Sequence, residues 1–214
     1  MTDGERLDLE PAHLILARSL LDQLERRLEL RPEGRVVIAI AGESGSGKSI
    51  SATALAAVLL ARGVHAVVLH QDDYFIRPPR ANHAHRIADL SSVGPHEVRL
   101  ELLASHIADF RAGRDIPDAP RADHHTDGFV TRRLDLATAS VLVVEGTYVL
   151  TLDDSDVRIF LEATHEETAE RRRLRNRDVD APIIDRILAI EHAIIALQTH
   201  RADIVIDRHF GIRA

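Results

Sequence analysis

The sequence predicts an α/β fold with a mainly parallel, five-stranded sheet, and three observations support this prediction. Short, continuous apolar runs recur along the chain, as expected for strands buried on both faces of a parallel sheet. Segments with helical spacing of apolar residues separate these runs, so strands and helices alternate. A glycine-rich segment joins the first run to the next helix. The predicted strands are 35–41, 64–70, 140–146, 157–163 and 202–207.

The predicted helices follow from apolar spacing and from the glycines and prolines that end it. Residues 11–30 repeat leucine and alanine every three or four positions, and RPEG ends this pattern. We expect an extra N-terminal helix here, within an appendage of residues 1–34 ahead of a main domain of residues 35–214. Its role would be packing or an oligomer contact. The other predicted helices are 48–61, 98–113, 165–177 and 182–200, and residues 71–97 and 114–133 are predicted to be irregular.

Composition narrows the classes of protein that this chain can belong to. Its 214 residues carry a net charge of −7, which disfavours a nucleic-acid partner. It has no cysteine, which excludes disulfides and thiolate metal sites. It has no apolar run of 18 residues, and its acidic start does not resemble a secretory signal. We expect a cytoplasmic protein with neither a nucleic-acid nor a membrane partner, and a homo-oligomer stays possible.

The segment GESGSGKS, between the first strand and the next helix, matches the phosphate-binding pattern G-x-x-x-x-G-K-[ST]. Its glycines let backbone N–H groups point at phosphates, and the helix directs its positive end there. Lys48 is the only lysine, whereas the other 26 basic residues are arginines. A flexible ammonium reaches the β- and γ-phosphates where a planar guanidinium fits poorly. The sequence therefore predicts a P-loop NTPase three-layer sandwich. The predicted nucleotide contacts are Gly42, Glu43, Ser44, Gly45, Ser46, Gly47, Lys48, Ser49 and Ile50.

Acidic residues follow two predicted strands at the edge of the sheet where ligands bind in open α/β folds. Asp72 and Asp73 follow the second strand, and one of them could accept the proton of a substrate hydroxyl as it attacks the γ-phosphate. Glu145 ends the third strand, where it could hold Mg²⁺ beside the Ser49 hydroxyl. The alternatives are a turn or helix cap for the aspartates and an exposed strand-end acid for Glu145.

A predicted helix in residues 165–177 is crowded with arginines. Like charges at helical spacing repel and weaken an isolated helix, so this pattern is explained if polyphosphate binds over it. The alternative is a solvated basic face that pairs with nearby glutamates. The candidate phosphate contacts are Arg172, Arg173, Arg175 and Arg177.

The motifs GESGSGKS, HQDDYF, VVEG, RRRLRNRD and RADIVID resemble, in order and approximate spacing, those of the phosphoribulokinase/uridine kinase family of small-molecule kinases. The resemblance covers residues 35–207 and implies an ATP- and Mg²⁺-dependent kinase with an arginine-bearing lid. It implies that Asp72 is the catalytic base, that Lys48 and Arg173 act in catalysis, and that Ser49 and Glu145 hold the metal. A guanine-reading N-K-x-D motif is excluded, because the only lysine lies in the P-loop.

The resemblance implies a small hydroxyl-bearing acceptor, and uridine is the first expectation. Uridine kinases usually carry a Tyr-Asp pair and a histidine where this chain has PRADHHTDG, with Ala122 in place of the tyrosine. Nicotinamide riboside, pantothenate, a sugar and glycerate therefore stay open as acceptors. A non-catalytic regulatory protein that binds nucleotide is the alternative of another class. The candidate acceptor contacts are Asp72, Asp73, Tyr74, Asp89, Arg121 and Asp123.

Overall fold

Eight strands and five α-helices lie in residues 9–28, 34–163 and 182–213, which are the residues that this computed structural model describes. The strands are β1 (Val36–Gly42), β2 (Ala66–His70), β3 (Ile116–Asp123), β4 (Gly128–Leu134), β5 (Val141–Glu145), β6 (Val157–Glu162), β7 (Ile204–Asp207) and β8 (Ile212–Arg213). The helices are α1 (Pro11–Arg27), α2 (Lys48–Ala61), α3 (Pro79–Ala88), α4 (Leu100–Arg111) and α5 (Pro182–Ala196). None of these described helices is long and apolar enough to cross a membrane. The predicted arginine-rich helix lies outside the described residues, and so do Arg172, Arg173, Arg175 and Arg177.

The central sheet has the strand order β2-β5-β1-β6-β7-β8. Its first five strands are parallel, and β8 pairs antiparallel with β7. The predicted parallel sheet is confirmed, and β8 adds a short sixth strand at one edge. Every residue of β5 is buried, because helices cover both faces of the sheet. The parallel register places Ile40 and His70 level with Glu145, so the ends of three strands meet at one edge.

Two hydrophobic clusters cover the two faces of the sheet and create the predicted three layers. One face packs against α1 and α2. The other face packs against α4, the start of β3 and the end of α5. Leu20 and Leu24 of α1 are fully buried and belong to the first cluster. The N-terminal helix therefore packs as part of one layer, which is one of the two roles expected for it.

Two segments that were predicted to be irregular contain regular structure, so this prediction was wrong. Within 71–97, α3 begins at Pro79, whose fixed φ suits the first helical position. Its only buried residue is the polar Asn82, and its one large apolar residue, Ile87, is exposed, so no buried apolar stripe marks this helix. Within 114–133, β3 and β4 form an antiparallel hairpin. Pro117 and Pro120 argued against a strand, but a two-stranded ribbon has open edges where no N–H donor is needed.

Candidate active site

The P-loop connects the end of β1 to the start of α2. Gly42, Gly45 and Gly47 have φ values of 152°, 79° and 97°, which side chains rarely allow. A Cβ atom at Gly42 would lie 2.7 Å from the carbonyl oxygen of Leu161, so only glycine fits there. The N-cap of α2 is Gly47, which has no side chain to cap the helix, and the first N–H groups of a helix have no partners within it. The loop therefore fits a nucleotide phosphate.

Side chains of the P-loop make two further contacts. Lys48 Nζ donates a hydrogen bond to the carbonyl oxygen of Glu43 at 2.9 Å, which keeps the ammonium beside the loop. Glu43 Oε1 lies 2.6 Å from Nδ1 of His192, which belongs to α5. The loop is thus connected to a helix from the far end of the chain.

Ser49 and Glu145 lie together, as expected. Ser49 Oγ donates a hydrogen bond to Glu145 Oε1 at 3.0 Å, and the glutamate side chain is buried. Desolvation would raise the pKa of Glu145, but hydrogen bonds and charge from His70 lower it below its ordinary value. An ionised carboxylate beside a hydroxyl is a donor set that suits Mg²⁺. Ligation of the metal by these two residues stays a prediction.

His70 is a member of this site that the sequence reasoning missed. Its Nδ1 lies 2.7 Å from Glu145 Oε1. Desolvation lowers the pKa of His70, yet the neighbouring carboxylate raises it above the ordinary value. The clue in the sequence was position, since His70 ends the strand that pairs with the strand of Glu145. Because Glu145 is held by Ser49 and His70 together, its orientation does not depend on one contact.

A cavity of about 240 Å³ opens in front of the P-loop. Residues of the loop and the start of α2 form one side of it. Asp72 and Glu145 extend this side from the ends of β2 and β5. Another wall comes from α3 and α5, which contribute His83, Arg86 and Glu191. The cavity thus combines a phosphate cradle, a candidate base and a charged wall.

The two adjacent aspartates face different surroundings. They lie in a 3₁₀ turn, Gln71–Tyr74, and Asp72 lines the cavity. Asp73 Oδ1 accepts a hydrogen bond from the backbone N–H of Ala122 in β3 at 2.9 Å. Desolvation raises the pKa of Asp73, although this hydrogen bond opposes the shift. The turn therefore points Asp72 to the site and Asp73 to the hairpin.

Four other candidate acceptor contacts are not among the described residues that line the cavity. Tyr74 is buried, and its hydroxyl lies 2.8 Å from Nδ1 of His106. Asp89 accepts a hydrogen bond from the backbone N–H of Ser91, and Asp123 accepts one from that of His125, both at 2.9 Å. Each of these two aspartates therefore stabilises the turn in which it lies. The structure does not bring them to the P-loop, and Arg121 stays with the hairpin strand β3.

A buried charge cluster on the wall formed by α3 and α5 was also missed. Arg86 donates from Nε and Nη2 to the two carboxylate oxygens of Glu97, at 2.6 Å each. The same Nη2 lies 3.0 Å from Glu191 Oε1. Desolvation raises the pKa of the Glu191 carboxyl, and Arg86 opposes this shift. One guanidinium therefore serves two buried carboxylates.

The sequence held a clue to Glu191. The buried residues of α5 recur at helical spacing, and they are Ile184, Ile187, Leu188, Glu191 and Ile195. An acid at a core position of an apolar stripe is unusual and points to a specific partner. That partner, Arg86, lies in a helix that the sequence did not reveal, so the pair could not be assigned.

Comparisons with known proteins agree with this geometry. A bifunctional alpha-galactosidase/sucrose kinase, AgaSK, from Mediterraneibacter gnavus is 30% identical over 206 residues, which are 90% of this chain but 22% of that protein. A candidate fructose transport system kinase from Silicibacter sp. TM1040 has a TM-score of 0.67 at 25% identity, with 85% of this chain and 94% of that chain covered. A possible uridine kinase from Bacillus stearothermophilus has a TM-score of 0.58 at 22% identity, with 91% and 97% covered.

The family assignment follows from a match over most of the chain. The model of the phosphoribulokinase/uridine kinase family matches residues 37–210. This range begins in β1 and ends beyond β7, so it includes the P-loop, Asp72, Glu145 and Glu191. The chain belongs to the phosphoribulokinase/uridine kinase family.

Proposed function

We propose that this protein is an ATP-dependent kinase that transfers the γ-phosphate of ATP to a hydroxyl group of a small carbohydrate. The observation that carries the proposal is the shared cavity, which the P-loop, Asp72 and Glu145 line together. A phosphate cradle alone would suit any nucleotide-binding protein. A carboxylate that is placed to accept a proton next to that cradle favours transfer to an alcohol.

The polar groups of the P-loop and the carboxylates beside it each have a role in this reaction. Backbone N–H groups of the P-loop and the Lys48 ammonium bind the β- and γ-phosphates and stabilise the charge that develops during transfer. Ser49 and Glu145 would hold Mg²⁺, which neutralises phosphate charge when it is bound. Asp72 accepts the proton of the attacking hydroxyl. The lid arginines Arg172, Arg173, Arg175 and Arg177 are proposed to add positive charge over the phosphates.

Two observations favour a carbohydrate over uridine as the acceptor. The names of AgaSK and of the Silicibacter protein refer to sucrose and to fructose. A nucleobase gains affinity by stacking on aromatic rings, and Phe75 is the only Phe, Tyr or Trp among the described lining residues. Arg86 already lies over this ring, 5.5 Å from its centre. Uridine is the second candidate, supported by the QDDYF motif.

An ATP-consumption assay with Mg²⁺ tests the proposal. The acceptor panel is sucrose, D-fructose, uridine, nicotinamide riboside, pantothenate and D-glycerate, and mass spectrometry of the product distinguishes transfer from plain ATP hydrolysis. We expect a phosphorylated sugar with the wild-type protein and none with Lys48→Ala. If uridine is the only compound that is phosphorylated, the acceptor is uridine, the second candidate. ATP binding without any phosphorylated product would favour the regulatory alternative.

The metal assignment has its own test, which does not depend on the acceptor. Glu145→Gln keeps the shape of the side chain but removes the charge that attracts Mg²⁺. We expect the Mg²⁺ concentration for half-maximal binding of a nonhydrolysable ATP analogue to rise at least tenfold, as a charged ligand is lost. An unchanged Mg²⁺ requirement would remove Glu145 from the metal site. Circular dichroism confirms that the variant is folded, because Glu145 is buried.

A further inference from the structure

Glu97 has a full set of partners. Its carboxylate accepts two hydrogen bonds from Arg86 at 2.6 Å, one from Asn82 Nδ2 at 2.9 Å and one from the backbone N–H of Gly94 at 3.1 Å. Glu97 is 2% exposed, so these protein groups take the place of water as hydrogen-bond donors to its carboxylate. The charge of Arg86 is therefore matched mainly by Glu97, through two parallel bonds of the kind that binds carboxylates most strongly.

Glu191 has fewer polar contacts than Glu97 among the described residues. Its contact with the shared Arg86 Nη2, at 3.0 Å, is its one ion pair among them. A carboxylate can accept about four hydrogen bonds, and burial without them is costly. Desolvation accordingly raises the pKa of Glu191. Hydroxyl donors from a bound molecule would supply what this part of the protein does not.

The position of Glu191 indicates that the phosphate acceptor would supply these hydroxyl donors. Glu191 lines the same cavity as Asp72, and charges on Asp72 and Lys48 both influence its carboxyl. It stands on the wall formed by α3 and α5, in the same cavity as the P-loop residues that cradle phosphate. A molecule that presents one hydroxyl to Asp72 therefore has its remaining groups near this wall.

We infer that Glu191 binds further hydroxyl groups of a neutral, polyhydroxylated acceptor and excludes acceptors that carry a carboxylate or phosphate group. The inference rests on the proposed function and adds the charge class of its substrate. Hydroxyl groups donate hydrogen bonds to a carboxylate, whereas an anionic group would lie beside a like charge in a desolvated wall. Arg86 does not reverse this preference, because its single positive charge is already matched by Glu97, which holds its Nε and Nη2 groups.

The test compares neutral and anionic acceptors in variants of the full chain. Glu191→Gln removes the charge at constant shape, and Glu191→Leu removes the hydrogen-bonding group. Asp185→Asn is the control, since Asp185 is an exposed acid on the same helix. The neutral acceptors are sucrose, D-fructose and glycerol, and the anionic ones are D-glycerate and D-gluconate. Turnover gives kcat and the KM values for acceptor and ATP, and calorimetry gives acceptor binding in the presence of a nonhydrolysable ATP analogue.

The expected result has three parts. The wild-type protein prefers a neutral acceptor. Its KM for that acceptor rises about 10- to 100-fold in both Glu191 variants, as expected when hydrogen bonds to a charged group are lost. The KM for ATP changes less than twofold, Glu191→Gln narrows the preference for neutral over anionic acceptors, and Asp185→Asn matches the wild type.

The outcomes separate the inference from the proposed function. Turnover with an unchanged acceptor KM in both Glu191 variants overturns the inference and leaves the kinase function standing. A wild-type preference for D-glycerate or D-gluconate also overturns it. Sugar binding that depends on Glu191 without any turnover overturns the kinase function but supports the site. If no acceptor of the panel, neutral or anionic, is bound or turned over, both the inference and the proposed function are overturned.

Discussion

Replacing Asp72 by asparagine removes the proposed base while keeping the size of the side chain. Loss of a general base typically lowers a rate by 10²- to 10⁴-fold, which is about 3–5 kcal/mol in the barrier. Asp72 is exposed at the cavity, so its replacement should change the free energy of unfolding by less than about 0.5 kcal/mol. We therefore expect kcat to fall by 10²–10⁴ while the KM for ATP and the melting temperature stay close to those of the wild type.

Asp73→Asn is the matched control, because it makes the same chemical change one residue away. An asparagine oxygen can still accept the hydrogen bond from the N–H of Ala122, and the loss of charge is offset by a smaller desolvation cost. We expect a change in stability within about 1 kcal/mol, or about 2–4 °C in melting temperature. We expect kcat to stay within about threefold, because Asp73 is turned toward the hairpin.

Steady-state kinetics on the best acceptor and thermal unfolding of the same samples decide the question. An inactive Asp73→Asn beside an active Asp72→Asn would reverse the assignment of the base. Normal turnover in both variants would refute general-base catalysis by this turn. A large loss of stability in Asp72→Asn would refute the placement of Asp72 at the cavity surface.

Three further predictions concern the P-loop, the charge cluster and the sheet edge. Lys48→Arg should lose ATP turnover almost as fully as Lys48→Ala, because the guanidinium does not fit the loop, and near-normal turnover in a coupled assay would contradict this reason. Glu97→Gln should cost about 3 kcal/mol by denaturant unfolding, at the low end for a broken buried ion pair because Glu191 stays beside Arg86. Arg86 holds the pKa of Glu97 below its ordinary value despite desolvation, so this stabilisation is present above about pH 4.5 and is lost as the pH falls further. The unfolding free energy of the wild type should therefore fall more steeply on acidification than that of the variant. Gly146→Ala should cost about 2–4 kcal/mol, because its Cβ would lie 2.2 Å from Cβ of Gln71, and a smaller loss than 1 kcal/mol would show that Gln71 can move.

The phosphate site could be predicted from the sequence because its parts are local. The P-loop glycines, Lys48 and the start of α2 are neighbours in the chain, and their backbone geometry follows from residue type. The proximity of Ser49 to Glu145 was also predictable, although they are distant in sequence. Buried apolar runs predict parallel strands, and parallel strands end at one edge of the sheet.

The acceptor side depended on tertiary structure, because its residues acquire their roles from contacts between distant segments. The residues by themselves left open which of Asp72 and Asp73 is the base, and only the family resemblance favoured Asp72. In the structure, Asp72 lines the cavity and Asp73 is held by β3. Helix α3 buries the polar Asn82 and no large apolar residue, so Arg86 could not be paired with its carboxylates in advance.

Local sequence determined the fold class and the phosphate cradle, since periodicity and glycine conformations act over a few residues. Burial in the folded protein determined the charged groups on the acceptor side of the cavity. Whether Glu191 is a solvated helix residue or a charged wall of the cavity depends on which surfaces exclude water around it. That is set only when α3 and α5 come together beside the P-loop.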